Sequence, residues 1–155
     1  MEEIRFDDIE KLKAKVGADF GPWSNSVEVT QEMINQFADI TGDHQWIHID
    51  VERAKRESPF KGPVAHGFLT ISLLPRLSTG HGFKIVGQKA GINYGANKLR
   101  FVAPVPAGAK IHAHSRLVGV EKRGAGTQFT TETNIHVVGN DKPCVIYEGL
   151  VIYAG

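Results

Sequence analysis

The amino-acid sequence predicts an α+β domain in which a long curved antiparallel sheet wraps one apolar helix. Helical periodicity is confined to the first half of the chain, whereas four long segments of alternating polarity fill most of the second half. Short turn signals join these four segments, and strands connected in this way pair antiparallel. We expect one domain over residues 1–155, in which residues 1–24 form an N-terminal helical extension.

The first predicted element is a short amphipathic helix over residues 7–16. Acidic residues favour its start, and Gly17 offers a left-handed stop. Its apolar residues fall on one face, namely Ile9, Leu12 and Val16. This helix is the structure expected within the N-terminal extension.

A second helix is predicted after a short alternating strand at residues 26–30. Thr30 has the chemistry of an N-cap, and Gly42 ends the helix and leads into a loop. The apolar residues of the helix recur at helical spacing: Met33, Ile34, Phe37 and Ile40. Asp50 is the expected N-cap of the next helical segment, residues 51–57.

The third helical segment, residues 66–78, is the most apolar part of the chain. Its side chains leave almost no polar face, so we expect it to be buried on most sides. Pro75 predicts a kink or an early end within it. The predicted strands that follow are residues 92–102, 110–121, 126–138 and 143–153.

The composition argues against several kinds of partner. Eighteen basic and seventeen acidic residues give a net charge of +1, and the basic residues form no long run, so neither a nucleic-acid nor a membrane partner is expected. The single cysteine, Cys144, leaves no intrachain disulfide and no cysteine zinc site. The acidic start lacks an apolar leader segment, and a cytoplasmic location is expected.

Polar residues with the chemistry of proton transfer cluster between the second and third helices. Asp43 and His48 stand five positions apart in a predicted loop, and His66-Gly67 opens the apolar helix. A carboxylate, an imidazole and a helix N-terminus are the groups needed to move a proton and stabilise a developing negative charge.

These residues carry a resemblance to a known family. The run FADITGDHQWIHID at 37–50 resembles the hydratase motif of MaoC-like (R)-specific enoyl-CoA hydratases, and VAHGFL at 64–69, NYG at 93–95 and RFVAPV at 100–105 agree in order and spacing. The segments GDHQWIH at 42–48 and LLPRL at 73–77 are most similar to the branch of this family that is related to nodulation protein N.

The resemblance implies a single hot-dog fold, a long central helix wrapped by the sheet, in a homodimer that joins its sheets edge to edge. It implies addition of water to a trans-2-enoyl-CoA to give the (R)-3-hydroxyacyl-CoA, reversibly, and neither a metal nor a redox cofactor. His112 and His114 share one strand face without an evident third ligand, which also speaks against a metal site.

The resemblance also implies roles for individual residues. Asp43 and His48 together hold and activate the water, and the sequence leaves open which of them carries the proton at rest. Gly67 is the candidate oxyanion donor because the first N–H groups of a helix are unpaired, and the alternative is that it permits tight packing. His66 supports the site or positions the loop.

Weaker expectations concern four further residues. Asn97 and Ser72 are candidate supporting groups near the acyl thioester, and Lys98 and Arg100 are candidate contacts for the phosphates of CoA. Two rival functions stay open: a hot-dog acyl-CoA thioesterase, and a non-catalytic module that binds acyl-CoA or lipid. Residues 67–78 contain no Asp or Glu, which argues against the thioesterase.

Overall fold

The structure is a computed structural model that describes residues 1–17 and 19–155. The helices in these residues are α1 (Ile9–Lys13), α2 (Gln31–Thr41), α3 (Trp46–Ile49), α4 (Val51–Glu57) and α5 (Gly67–Ser72), with a 3₁₀ turn at Leu74–Arg76. The strands are β1 (Glu3–Arg5), β2 (Val27–Glu28), β3 (Lys84–Val86), β4 (Ala90–Phe101), β5 (Lys110–Arg123), β6 (Gly126–Val137) and β7 (Val145–Ala154).

Five strands form one antiparallel sheet in the order β2-β5-β6-β7-β4. Its four long strands agree with the predicted segments to within two residues at each end. Irregularities in the β4–β7 and β5–β6 pairings add local twist and bend the strands. The predicted α+β class with a curled antiparallel sheet is confirmed.

The central helix is shorter than predicted. The segment expected to be helical over residues 66–78 divides into α5 and the 3₁₀ turn, because Pro75 lacks the N–H that would continue the helix. Leu69 and Leu73 enter the core, where they meet Ile111 and Ile135 of the sheet. Phe68 is 64% exposed, so burial on most sides was a wrong expectation.

The predicted caps of α2 and α4 are confirmed, whereas Gly17 is not the stop of α1, which ends at Lys13 with Ala14 as its C-cap. The Met33 N–H donates to Thr30 Oγ1 at 3.1 Å, and the Arg53 N–H donates to Asp50 Oδ1 at 3.1 Å. Gly42 ends α2 in the left-handed region with φ +79°. The expected apolar face of α2 is wrong at one position, because Ile40 is 84% exposed.

The N-terminal extension contains a strand as well as the predicted helix. β1 pairs in parallel with β3 in a separate two-stranded sheet, which alternation did not reveal because both strands have only three residues. Leu12 of α1 and Phe6 pack with Leu117 and Phe129 in a second apolar cluster beyond the central helix. None of the described helices has the length and apolarity that a membrane crossing requires.

Candidate active site

Asp43 lies in the tight loop that joins α2 to α3. Its N–H donates to Thr41 Oγ1 at 3.3 Å, and its own Oδ1 accepts the Gln45 N–H at 3.3 Å. The contact to Gln45 is of the Asx type, in which a side-chain carboxylate accepts from the backbone two residues on. The carboxylate still has unused acceptor capacity, because an ionised carboxylate offers about four lone-pair sites.

His48 lies on α3, a short helix that replaces the predicted loop, and is 8% exposed. Its Nδ1 is 2.6 Å from the Val64 carbonyl oxygen. Because a carbonyl only accepts, Nδ1 carries the proton and Nε2 keeps a free lone pair. Burial lowers the pKa of His48 below its ordinary value, against a smaller opposing effect of the Val64 contact. The neutral imidazole is thus favoured near pH 7.

His66 connects the two halves of the site. Its Nε2 donates to the backbone carbonyl of Asp43 at 3.0 Å, and its ring stacks on His48 with centroids 3.9 Å apart. The Phe37 ring also packs against the His66 ring, at a centroid distance of 5.0 Å. These contacts hold the Asp43 loop against α5, which is the positioning role considered for His66 from the sequence.

The ligand atoms of Asp43, His48 and His66 lie within 4.8 Å of one another. Two hydrogen bonds of about 2.8 Å through one water span up to about 5.6 Å, so a single water fits between the carboxylate and an imidazole. The stacked His48 and His66 rings are tilted by 24° to each other. The same three groups are also close enough together to hold a metal ion, so the absence of a metal expected from the sequence stays a prediction.

Gly67 is the first residue of α5 and faces the same space as His48. Both line a cavity of about 330 Å³, which we call the site cavity, with walls that are mostly apolar and include Phe60, Phe101 and Val145. The Gly67 N–H has no intrahelical acceptor at this position. A Cβ at Gly67 would lie 2.8 Å from the Phe101 ring, so glycine also permits this close packing.

The four weaker candidates lie away from this cluster. Asn97 donates to Glu148 Oε1 at 2.9 Å on the outer face of the sheet. Lys98 and Arg100 alternate with Leu99, which packs towards the core, so their side chains leave the opposite face of β4. Ser72 lines a different cavity on the far side of α5.

The sequence reasoning missed the Val64 carbonyl, which sets the tautomer of His48. The available signal was Val64-Ala65, directly before His66-Gly67, since this segment must run beside α3 to bring both histidines together. The Ala65 N–H donates to the Val105 carbonyl at 2.8 Å, which fixes that segment to the turn before β5.

The chain is similar to known proteins over most of its length. Residues 15–140 match the family model described as MaoC like domain. The chain is 49% identical over 149 residues to 3-hydroxyacyl-thioester dehydratase Z of Mycobacterium tuberculosis, covering 96% of this chain and 97% of the relative. It is 38% identical over 153 residues to Nodulation protein N of Rhizobium meliloti, covering 98% and 92% of the two chains.

A solved structure supports the fold. The (R)-hydratase from A. caviae involved in PHA biosynthesis superposes with a TM-score of 0.66 at 24% identity, covering 87% of this chain and 96% of that one. The likeness confirms the hot-dog fold expected from the sequence.

Proposed function

The chain belongs to the MaoC-like dehydratase family, and on that premise we propose that it is an (R)-specific enoyl-CoA hydratase. It adds water to a trans-2-enoyl-CoA to give the (R)-3-hydroxyacyl-CoA, and it catalyses the reverse dehydration at the same site. The single observation that carries the proposal is the buried, neutral His48, which lies within 4.8 Å of Asp43 and lines the same cavity as Gly67. No cofactor takes part in the proposed reaction.

Each proposed step uses one group of the site. A water held between Asp43 and His48 loses a proton to the pair as its oxygen forms the bond to C3 of the enoyl thioester. The electrons of the double bond move towards the thioester oxygen, where the Gly67 N–H donates to the developing enolate. The pair then returns one proton to C2, so water has been added overall.

The rival thioesterase reaction would direct the same water at a different carbon. Attack at the thioester carbonyl releases free CoA, whereas hydration keeps the thioester and removes the conjugated double bond. Mixing the protein with crotonyl-CoA separates these outcomes. We expect loss of the enoyl-thioester absorbance without release of free thiol. Thiol release at a matching rate favours the thioesterase, and silence with crotonyl-CoA and longer enoyl-CoAs favours a binding module.

The acid limb of the pH profile is expected to lie below pH 6.5. His48 acts as a base through its unprotonated Nε2, so kcat/KM falls as pH drops through the pKa of this residue. Burial lowers that pKa from its ordinary value of 6.5, which keeps the base form populated further into the acid range. The measurement is kcat/KM for crotonyl-CoA from pH 5 to 8. A midpoint above 6.5 would mean that the imidazolium is stabilised instead.

We propose that the protein is a homodimer joined along β4. β4 is the edge of the sheet and is exposed along almost its whole length, with Ile92, Tyr94 and Phe101 each at least 44% exposed. A long apolar edge of this kind is a template for pairing with another strand. Lys98 and Arg100 lie on the same edge and are the proposed contacts for CoA phosphates.

Light scattering is expected to give twice the 17.0 kDa chain mass. The variant Ile92→Lys places a charge on the edge strand and should weaken the dimer. The matched control Ile40→Lys changes an equally apolar, exposed residue on α2 and should leave the mass unchanged. A mass of one chain for the wild-type protein at micromolar concentration would oppose the dimer.

A further inference from the structure

A band of polar side chains interrupts the concave face of the sheet, where an apolar core is the rule. Ser115 of β5 and Thr131 and Thr133 of β6 point inwards between two apolar clusters. Ser115 is opposite Thr133, and Thr133 is opposite Tyr147 of β7. Burying a polar side chain costs free energy unless its polar atoms find hydrogen-bond partners.

These side chains line a cavity of about 680 Å³ beneath α5 and the 3₁₀ turn, which we call the polar chamber. Asn93 and His81 add further hydrogen-bonding groups to its wall. Gly149 makes room for the Tyr147 ring in the wall of this cavity, because the ring lies where a side chain at residue 149 would be. The polar chamber is therefore about twice the size of the site cavity and differs from it in chemistry.

Several polar atoms of the chamber retain unused hydrogen-bonding capacity. The Ser115 and Thr133 hydroxyls are 2.8 Å apart, and one of the two O–H groups suffices for that contact. The other O–H is free to donate to a molecule in the chamber. Among the described residues, the buried His81 Nδ1 has no hydrogen-bond partner.

The polar chamber and the site cavity are neighbours along β7 and α5. Val145 lines the site cavity, and Tyr147, the next inward residue of β7 at about 7 Å along the strand, lines the chamber. On α5, Thr70 faces the first space and Ile71 the second. A chain that starts at Gly67 and follows β7 past Tyr147 would enter the polar chamber.

We infer that the polar chamber receives the distal part of the acyl chain and selects chains that carry a hydroxyl group there over aliphatic chains of equal length. An aliphatic tail would strip water from Ser115, Thr131 and Thr133 without replacing its hydrogen bonds. A hydroxylated tail restores one or two of them, and sites built to bond a hydroxyl discriminate against analogues that lack it. The inference rests on the proposed hydratase function, since it concerns the same substrate.

The test compares trans-2-decenoyl-CoA with its 10-hydroxy analogue, and the twelve-carbon pair with and without a terminal hydroxyl. We expect kcat/KM to be at least tenfold higher for the hydroxylated member of at least one pair. Thr131→Val removes a hydroxyl at nearly constant volume and should lower this preference about threefold or more. The same substitution at the neighbouring Thr130, on the outer face, is the matched control and should leave it unchanged.

A second variant removes the buried pair. Ser115→Ala with Thr133→Val deletes both hydroxyls, so neither is left without its partner, and should also reduce the preference. A cooperative thermal unfolding transition for each variant is the check that it is folded. Turnover of crotonyl-CoA, whose short chain ends before the chamber, should stay near the wild-type rate in all of them. Equal kcat/KM for both members of each pair, or a preference that survives both variants, overturns the inference.

A binding measurement separates failure of this inference from failure of the proposed function. Dissociation constants of the saturated ten-carbon and twelve-carbon acyl-CoAs, with and without the terminal hydroxyl, do not depend on catalysis. Absence of turnover with crotonyl-CoA and with the longer enoyl-CoAs would overturn the hydratase proposal alone. Tighter binding of a hydroxylated chain would then still support the polar chamber, and equal binding would overturn it.

Discussion

Replacing Asp43 by Asn is expected to lower kcat/KM for crotonyl-CoA by about 10²–10⁴-fold, the usual range for a general acid–base group. Asn keeps an oxygen for the Gln45 N–H and removes the negative charge beside the water. The local turn should therefore persist while the chemistry is lost.

His48→Gln is expected to cause a loss in the same range. A Gln amide reaches about the position of Nε2, where it can bind water but supplies no base, and the Val64 carbonyl loses its Nδ1–H donor. The double variant should be little worse than either single variant, because two groups that act on one water do not contribute additively.

The neighbouring histidine provides the control for both variants. His44 lies beside Asp43 in the sequence, yet its Nε2 bonds Asp39 at the surface and it is not part of the cluster. His44→Gln should keep turnover close to that of the wild-type protein. If Asp43→Asn or His48→Gln kept it as well, the role assigned to that residue would be wrong.

The second large effect is expected from Gly67→Pro, which removes the proposed oxyanion donor. Proline is tolerated at the first residue of a helix, and His66 at ψ +137° already has the extended conformation that precedes proline. Loss of one such donor costs about 10²–10³-fold in kcat. The helix should form while the enolate loses its hydrogen bond.

Gly67→Ala separates the donor from the packing role. Alanine keeps the N–H and adds a Cβ 2.8 Å from the Phe101 ring, so that ring must shift to accommodate it. We expect Gly67→Ala to lose much less of kcat than Gly67→Pro. Equal losses in both variants would show that glycine serves close packing and that the oxyanion donor lies elsewhere.

Local chemistry made the helix caps and the long strands predictable from the sequence. Thr30 and Asp50 each cap their helix through their own side chains, so a few neighbouring residues suffice to identify them. The grouping of Asp43, His48 and His66 came from motif resemblance, and the structure brings these residues together. The tautomer of His48 depends on Val64, sixteen residues away, and no local pattern reveals such a contact.

Register shifts explain why Asn97 does not lie where strict alternation would place it. Counting back from Leu99 in steps of two puts Asn97 on the inner face of β4. The pairing of β4 with β7 is irregular between Ala96 and Lys98, which breaks the alternation at Asn97. Its side chain therefore lies on the outer face, where its amide donates to Glu148. A bulge of this kind has no clear signature in a single sequence.

The configuration of the product is the most direct test of the proposed hydratase. The protein is incubated with crotonyl-CoA, and the 3-hydroxybutyryl-CoA that forms is resolved on a chiral phase, with His48→Gln as the parallel control. The proposed (R)-specific hydratase function predicts the (R) product from the wild-type protein and almost none from the variant. Formation of the (S) product, or free CoA in place of a hydroxyacyl thioester, would contradict the proposed function.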